Sequence, residues 1–317
     1  MRFTKKVKKL WARGIKDILT RIIKKILLGK GIRFFERLGF HVLPIHYYSP
    51  VPSMRELDKN VEQWYKEGSF TGIDFNHKDQ LKLLDNLHSY KEEFNKLDSY
   101  EQVLEQGIGE GYGEIEAHVL YAMVRHLKPR RVIEVGSGVS TFFSAKALTA
   151  NKHFDSISSK LTCIEPYPWS KLKDITGDGR LDIIDRPVQA VDLDVFKTLG
   201  QGDILFIDSS HMVKIGSDVN YLYLEVLPNL NKGVIIHIHD IFFPYPSFNS
   251  KLWMFGEHRF WTEPALVQAF LTYNSNFRIL LCTSYLHYKE PSALKDTFNV
   301  YDHSGYLPSS LWIEKIN

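Results

Sequence analysis

From Arg131 onward the chain repeats one unit: a short aliphatic run, a turn rich in glycine or acid, then a helical stretch. Strand-like runs fall at Arg131–Val135, Leu161–Glu165, Leu181–Asp185, Asp203–Asp208, Val234–His239, Phe277–Thr283 and Ser310–Lys315. Strands that alternate with helical segments need crossover connections, so the pattern predicts an α/β fold with a doubly wound, mainly parallel sheet. No helical pattern stands out between the last two runs, which predicts an antiparallel hairpin at one edge. Upstream, Gly107–Gly113 (GIGEGYG) precedes a predicted helix over Glu114–His126, and residues 55–107 read as polar and weakly helical. With 317 residues, 44% of them hydrophobic, the chain can bury a sizeable core. Its two cysteines, Cys163 and Cys282, sit in apolar runs and are expected as buried free thiols.

Charge divides the chain unevenly. Residues 1–40 hold 13 Lys/Arg against Asp17 and Glu36, a net of +11, while the remaining 277 residues carry 27 Lys/Arg against 35 Asp/Glu, a net of −8. The basic arm is amphipathic: Phe3, Val7, Leu10, Trp11, Ile15, Ile18, Ile22 and Ile26 recur at helical spacing, with lysines and arginines mostly between them. Its longest uncharged core run, Ile26–Gly29, is too short for a secretory signal, and the absence of serine is unlike a transit peptide. The later run Leu38–Met54 is broken by Pro44, Pro50 and Pro52 and cannot span a bilayer as a helix. The expectation is a cytoplasmic chain in three parts: a basic helical arm (1–40), a helical and loop region (41–107) and an α/β domain (108–317). The arm either lies on the anionic inner face of a membrane through residues 1–35 or packs on protein, its own body or a second copy in a homo-oligomer. Nucleic acid is not expected, because basic charge is confined to the arm and no recognition motif follows.

The first strand runs into Glu134-Val-Gly136-Ser-Gly138-Val-Ser140-Thr141 and then a helix. Glycines at such a turn let a ligand approach the backbone and the helix N-terminus. A dinucleotide fingerprint needs a third glycine where Thr141 stands, and Glu134 would repel a pyrophosphate. A carboxylate suits a cationic ligand better, and S-adenosylmethionine carries an ammonium and a sulfonium and no phosphate. Glu165, at the end of the second strand, can accept hydrogen bonds from both hydroxyls of a ribose. A nicotinamide-dependent oxidoreductase and a non-catalytic scaffold anchored by the basic arm remain the alternatives.

Five segments in order, EVGSGVST, LTCIEPYPW, DILFIDSSH, SDVNYLYLEVLPNL and HIHDIFFPYP, resemble the class I S-adenosylmethionine-dependent methyltransferases. More closely they are similar to a bacterial small-molecule branch related to macrolide-sugar (macrocin-type) O-methyltransferases. The resemblance implies a Rossmann-like seven-stranded sheet with an antiparallel last strand, and an acceptor that is a small molecule or glycan. It also implies a cofactor at the carboxyl ends of the first strands: Glu134, Gly136, Gly138 and Ser140 at the methionine end, Glu165 at the ribose, and Gln189 near the adenine. Ser140, where the superfamily often has a third glycine, departs from the pattern.

Methyl transfer to oxygen requires the acceptor in line with the sulfonium methyl and a destination for its proton. The fourth strand ends in Asp208-Ser-Ser-His211 and the fifth in His237-Ile-His239-Asp240, and the topology opens both ends onto one crevice. His211, with Asp208, is the candidate base, since an ordinary imidazole titrates near neutrality. In catechol-type O-methyltransferases, similar only at fold level, an aspartate ends the fourth strand, Asp-Asn ends the fifth, and a lysine three residues after the first aspartate is the base. Asp208 and Asp240 match the aspartates, His211 falls at the lysine's spacing, and Ile241 stands in place of the amide, so a divalent cation such as magnesium would rest on Asp208, Asp240 and His239. His237, inside an apolar strand, is expected as a core residue. Beyond Asp240 the aromatics Phe242, Phe243, Tyr245, Phe248, Trp253, Phe255, Phe260 and Trp261 are either an acceptor pocket or packing beneath a loop.

Overall fold

The computed structural model describes residues 17–23, 25, 31–109, 111–175, 180–247 and 251–317. Phe3, Val7, Leu10, Trp11, Ile15 and Ile26 of the arm, and Phe248, lie outside these residues. The chain divides into two units, one ending at Trp64 and one spanning Tyr65–Asn317. In the first, residues 17–23 are helical (α1), followed by helices Ile32–Arg37, Met54–Lys59 and Val61–Trp64. Ser53 starts the Met54 helix by accepting a hydrogen bond from the Glu56 amide, and Trp64 Nε1 donates to the Leu57 carbonyl at 2.9 Å.

The second unit is built on seven strands: β1 (Arg131–Val135), β2 (Lys160–Ile164), β3 (Leu181–Ile184), β4 (Ile204–Ile207), β5 (Ile235–Ile238), β6 (Phe277–Cys282) and β7 (Leu311–Lys315). Their order is β3-β2-β1-β4-β5-β7-β6. The pairs among β1 to β5 are parallel, and β7 runs antiparallel to both β5 and β6. The sheet is therefore the seven-stranded, mainly parallel one expected. The last two strands also pair antiparallel at one edge, with β7 between β5 and β6, but their connection is not free of helix: it holds Thr283–Lys289 and Pro291–Thr297. At seven residues each, those helices are too short to write a 3.6-residue repeat into the sequence.

Period-two alternation sorts the strand residues between two cores. Val132, Ile204 and Phe206 face helices α2 (Glu114–Leu127) and α3 (Val139–Asp155), with Leu120, Met123 and Phe143 between them. Ile133, Val135, Leu205, Ile207 and Ile236 face α4 (Asp218–Tyr221) with its continuation, and α5 (Glu263–Leu271). Every residue of β4 and β5 is buried, as a parallel strand covered on both faces requires. After α4 the helix widens into a π turn over Leu222–Val226. Val219, Leu222, Tyr223, Val226, Leu227 and Leu230 are buried at i, i+3, i+4 spacing, and Leu224, off that face, is 65% exposed.

Arg125 ties the α2–α3 layer together. It is buried, donates to both oxygens of Glu93 (2.6 and 3.0 Å), reaches Asp155 Oδ2 at 2.8 Å and also donates to Asn151 Oδ1. One planar guanidinium fills all these positions at once, which an ammonium cannot do. Arg125→Ala should lower the unfolding free energy by about 3 kcal/mol, because partly buried carboxylates lose their partner. The check is a fall in the urea midpoint, with Arg125→Lys recovering only part of it.

Candidate active site

The sheet order reverses between β1 and β4, and ligands of such sheets bind outside the carboxyl ends at that point. Gly136, at the tip of β1, has φ +100°, and a Cβ there would stand 2.3 Å from the Asp208 carbonyl oxygen. Its amide donates to the Ile164 carbonyl at 3.0 Å, and the Asp208 amide donates to the Val135 carbonyl at 2.9 Å. The turn after β1 is thus held between those after β2 and β4. Beside it opens a cleft of about 380 Å³ whose walls include Gly136, Glu165, Val188, Gln189, Asp208 and Ser210. Glu165 accepts from the Tyr167 amide at 2.9 Å, and Gln189 is exposed with Nε2 3.4 Å from the Gly216 carbonyl. Of the sequence-predicted cofactor residues, Gly136, Glu165 and Gln189 share this cleft.

Glu134, Gly138 and Ser140 do not line it. On β1 the side chain of Glu134 points to the α3 face, opposite Val135, and is fully buried. Its Oε1 accepts from Ser140 Oγ at 2.5 Å, and the Cys163 thiol lies 3.6 Å from Oε2. Burial pushes its carboxyl up to about 8. The sequence expectation of a carboxylate facing a cationic ligand is replaced by one that fastens the start of α3 from beneath. Gly138 is buried under the Ile108–Gly109 segment, and a Cβ on Gly109 would lie 3.1 Å from its Cα.

A second cleft, about 530 Å³, lies on the other side of Asp208, Ser209 and Ser210, which line both. Trp253, Arg259, Phe260 and Trp261 form its far wall, so part of the aromatic run faces the site, while Phe242 and Phe243 are buried in packing. Asp218 holds the dividing loop: its carboxylate accepts from the Ser210 amide (2.7 Å) and hydroxyl (2.6 Å).

His211, Asp208, His239 and Asp240 converge where the clefts meet. His211 Nε2 is 3.4 Å from both Asp208 Oδ1 and Asp240 Oδ2, and His239 Nδ1 is 3.4 Å from Asp208 Oδ1 and 3.6 Å from Asp240 Oδ2. The other ring nitrogen of His211, Nδ1, lies 2.8 Å from Glu263 Oε2. His211 (φ +57°) and Asp240 (φ +58°) both hold left-handed backbone. That conformation is strained in a non-glycine residue and gathers at functional sites. Burial opposes charge on His211, but Asp208, Glu263 and Asp240 overcome it and raise its pKa well above the ordinary value. His239, buried but beside Asp240 and Asp208, is raised to about 9. The same imidazoles, against burial, hold Asp208 below the usual carboxylate range. An ordinary imidazole pKa therefore does not describe His211, whose charged form the surrounding carboxylates favour.

Sequence reasoning missed Glu263, 52 residues beyond His211. In WTEPAL it reads as an ordinary acidic helix start, and only its complete burial marks it. It also missed Tyr112, whose ring lies 4.7 Å from that of His239, and Ser309, which donates to Asp240 at 3.2 Å. His237 is in the core as expected, stacked between Phe206 and Trp312, and both cysteines are buried free thiols. Asp208, His211 and His239 present ligand atoms within 4.8 Å of one another, with Asp240 alongside. With His239 among the donors beside carboxylates, the cluster suits a divalent ion that accepts nitrogen, such as manganese, cobalt or zinc, better than magnesium, which prefers oxygen alone.

Residues 133–241 match the family model of a methyltransferase domain. The chain is 32% identical over 192 residues to an uncharacterized protein of Archaeoglobus fulgidus, a match that covers 57% of this chain and 84% of that one. Among solved structures it is similar to a methyltransferase of Podospora anserina (15% identity, 85% of this chain and 99% of that, TM-score 0.39). Another is an O-methyltransferase of Streptomyces achromogenes (13% identity, 83% and 96%, TM-score 0.42). Over residues 133–241, then, the chain carries a methyltransferase domain by family match, set on the seven-stranded sheet described above.

Proposed function

We propose that this chain transfers the methyl group of S-adenosylmethionine to a hydroxyl of a small molecule or sugar-bearing acceptor. The supporting observation is the pair of clefts divided by one wall, Asp208–Ser210, with a buried carboxylate–imidazole cluster at the boundary. In this reading Glu165 accepts the ribose hydroxyls, Val188 and Gln189 border the adenine, and the bare backbone of Gly136 admits the methionine end. The second cleft takes the acceptor against Trp253 and Trp261, whose flat faces suit a sugar or an aromatic ring.

The chemistry is an in-line displacement. The acceptor oxygen bonds to the methyl carbon as the carbon–sulfur bond breaks, the electrons of that bond stay on sulfur, and the acceptor proton must leave. Asp208 and His211 stand at the boundary to take it. Glu263, bonded to Nδ1, fixes the ring so that Nε2 faces the clefts. A divalent ion held by Asp208, His239 and Asp240 would neutralise those carboxylates and acidify a bound hydroxyl. The same neutralisation would lower the pKa of His211, so base and cation are cooperating devices here rather than rivals.

His211→Ala should lower kcat by about 10²–10⁴-fold with the affinity for S-adenosylmethionine nearly unchanged. An unchanged kcat would remove His211 from the proton path. S-adenosylmethionine or S-adenosylhomocysteine at about 100 times its Kd should add ~2.7 kcal/mol of stability, and NAD at the same concentration should add none. A thermal shift with NAD alone would overturn the reading.

Glu134 supplies a prediction with a definite sign. Its folded pKa, about 8, lies above the ordinary carboxyl value of 4.5, so the folded state binds the extra proton between them. The stability this lends is full below pH 4.5 and is lost as pH rises through about 8. Without ligand, Glu134→Gln should therefore gain stability relative to the parent chain as pH rises across that window, by about 4 kcal/mol in all. Urea melts at pH 5 and pH 8.5 measure the difference.

A further inference from the structure

The first unit exposes apolar side chains that the rest of the reading leaves unused. Within the helical residues 17–23, Ile18, Leu19, Ile22 and Ile23 are each at least half exposed. At 100° per residue these four fall on one arc of about 140°, with Asp17, Thr20 and Arg21 on the other side. Phe34 and Phe40 are exposed as well, at 59% and 64%. A surface of this kind calls for a partner. The charge around it is equally one-sided: residues 1–40 carry 13 Lys/Arg against two acids, while the rest of the chain is net negative.

The two properties together select the partner. A nucleic acid would meet the basic charge but offers no apolar phase for the isoleucines. The acidic body of a second copy would also meet the charge. Its large exposed apolar side chains, such as Phe154, Ile215 and Tyr306, are dispersed along the sequence and offer no complementary helical arc. An anionic bilayer surface supplies both, negative headgroups for the arginines and lysines and acyl chains for the arc. Among the described residues no helix is long and apolar enough to cross a membrane, so contact would be at the interface.

We propose that the first unit docks this enzyme onto an anionic lipid surface, with the Ile18–Leu19–Ile22–Ile23 face inserted at the headgroup boundary. The test uses the full chain and two sets of vesicles, phosphatidylcholine alone and phosphatidylcholine with one third phosphatidylglycerol. Binding to the anionic vesicles should exceed binding to the neutral ones by at least about tenfold and weaken as salt is raised, since each basic residue near the surface adds about fivefold. Ile18→Ser with Ile22→Ser, which leaves the charge unchanged, should reduce it by at least about tenfold. Arg21→Glu with Arg33→Glu should do the same. All four side chains are exposed, and thermal unfolding of the variants is expected to match the parent chain. Equal binding to both vesicle types would overturn the proposal. So would unchanged binding by the isoleucine variant, or a dimer in solution that the same variants dissociate while vesicles fail to bind. None of these readouts depends on methyl transfer, so they stand or fall apart from the proposed activity.

Discussion

The Asp208 carbonyl occupies the space that any side chain at position 136 would need, 2.3 Å from where its Cβ would stand. Only glycine lets the turn after β1 lie flat against the turn after β4. That contact is one step of a staircase. The Glu165 amide donates to the Ile184 carbonyl of β3, Gly136 to Ile164 of β2, Asp208 to Val135 of β1, and His239 to Ile207 of β4. Each is the first residue past its own strand, bonded to the last residue of the strand beside it. The parallel register therefore delivers an acid, a glycine, an aspartate and a histidine to one edge in a fixed order. A one-residue slip in any strand would turn its member of that row to the opposite face.

At the far end of the row the fold accepts the cost of burying charge. Isolated, Asp208, Asp240, Glu263, His211 and His239 would each be expensive to take out of water. Together they neutralise most of one another, and the imidazoles hold their protons where burial alone would strip them. Removing any one leaves its partners exposed to the full penalty. The left-handed backbone at His211 and Asp240 is part of the same arrangement. It turns both side chains back over the strand ends instead of letting them follow the loops outward.

What the sequence could show was what local chemistry writes. The fully buried strand ILFI appears as an uninterrupted apolar run and IIHI as one broken only by His237, and their bounds were legible to within a residue or two. So were Asp208, His211, His239 and Asp240, because the topology brings strand ends together. Three kinds of feature were not legible. Glu134 alternates correctly in the strand, but which face its parity selects depends on where α3 packs. The π turn over Leu222–Val226 is a local widening of the helix without a residue signature. Glu263 meets His211 only through the fold of the intervening loop, and β7 enters between β5 and β6 by a tertiary choice that no local pattern encodes.

The cluster's charge also bears on how the proposed reaction proceeds. Asp208, Asp240 and Glu263 outnumber the two imidazoles they surround, so acidic groups predominate beside the wall shared by the two clefts. A sulfonium brings one positive charge to that wall and loses it when its methyl group departs. The acceptor's proton, meanwhile, passes to the cluster and makes it less negative. The attraction that helps to seat the methyl donor is therefore removed from both sides by the same event, once as a charge lost and once as a proton gained. In a site partly shielded from water such an interaction is screened less than at an open surface. The balance of three acids to two bases thus favours the charged donor over the neutral product, which is the direction a methyl-transfer site needs in order to turn over.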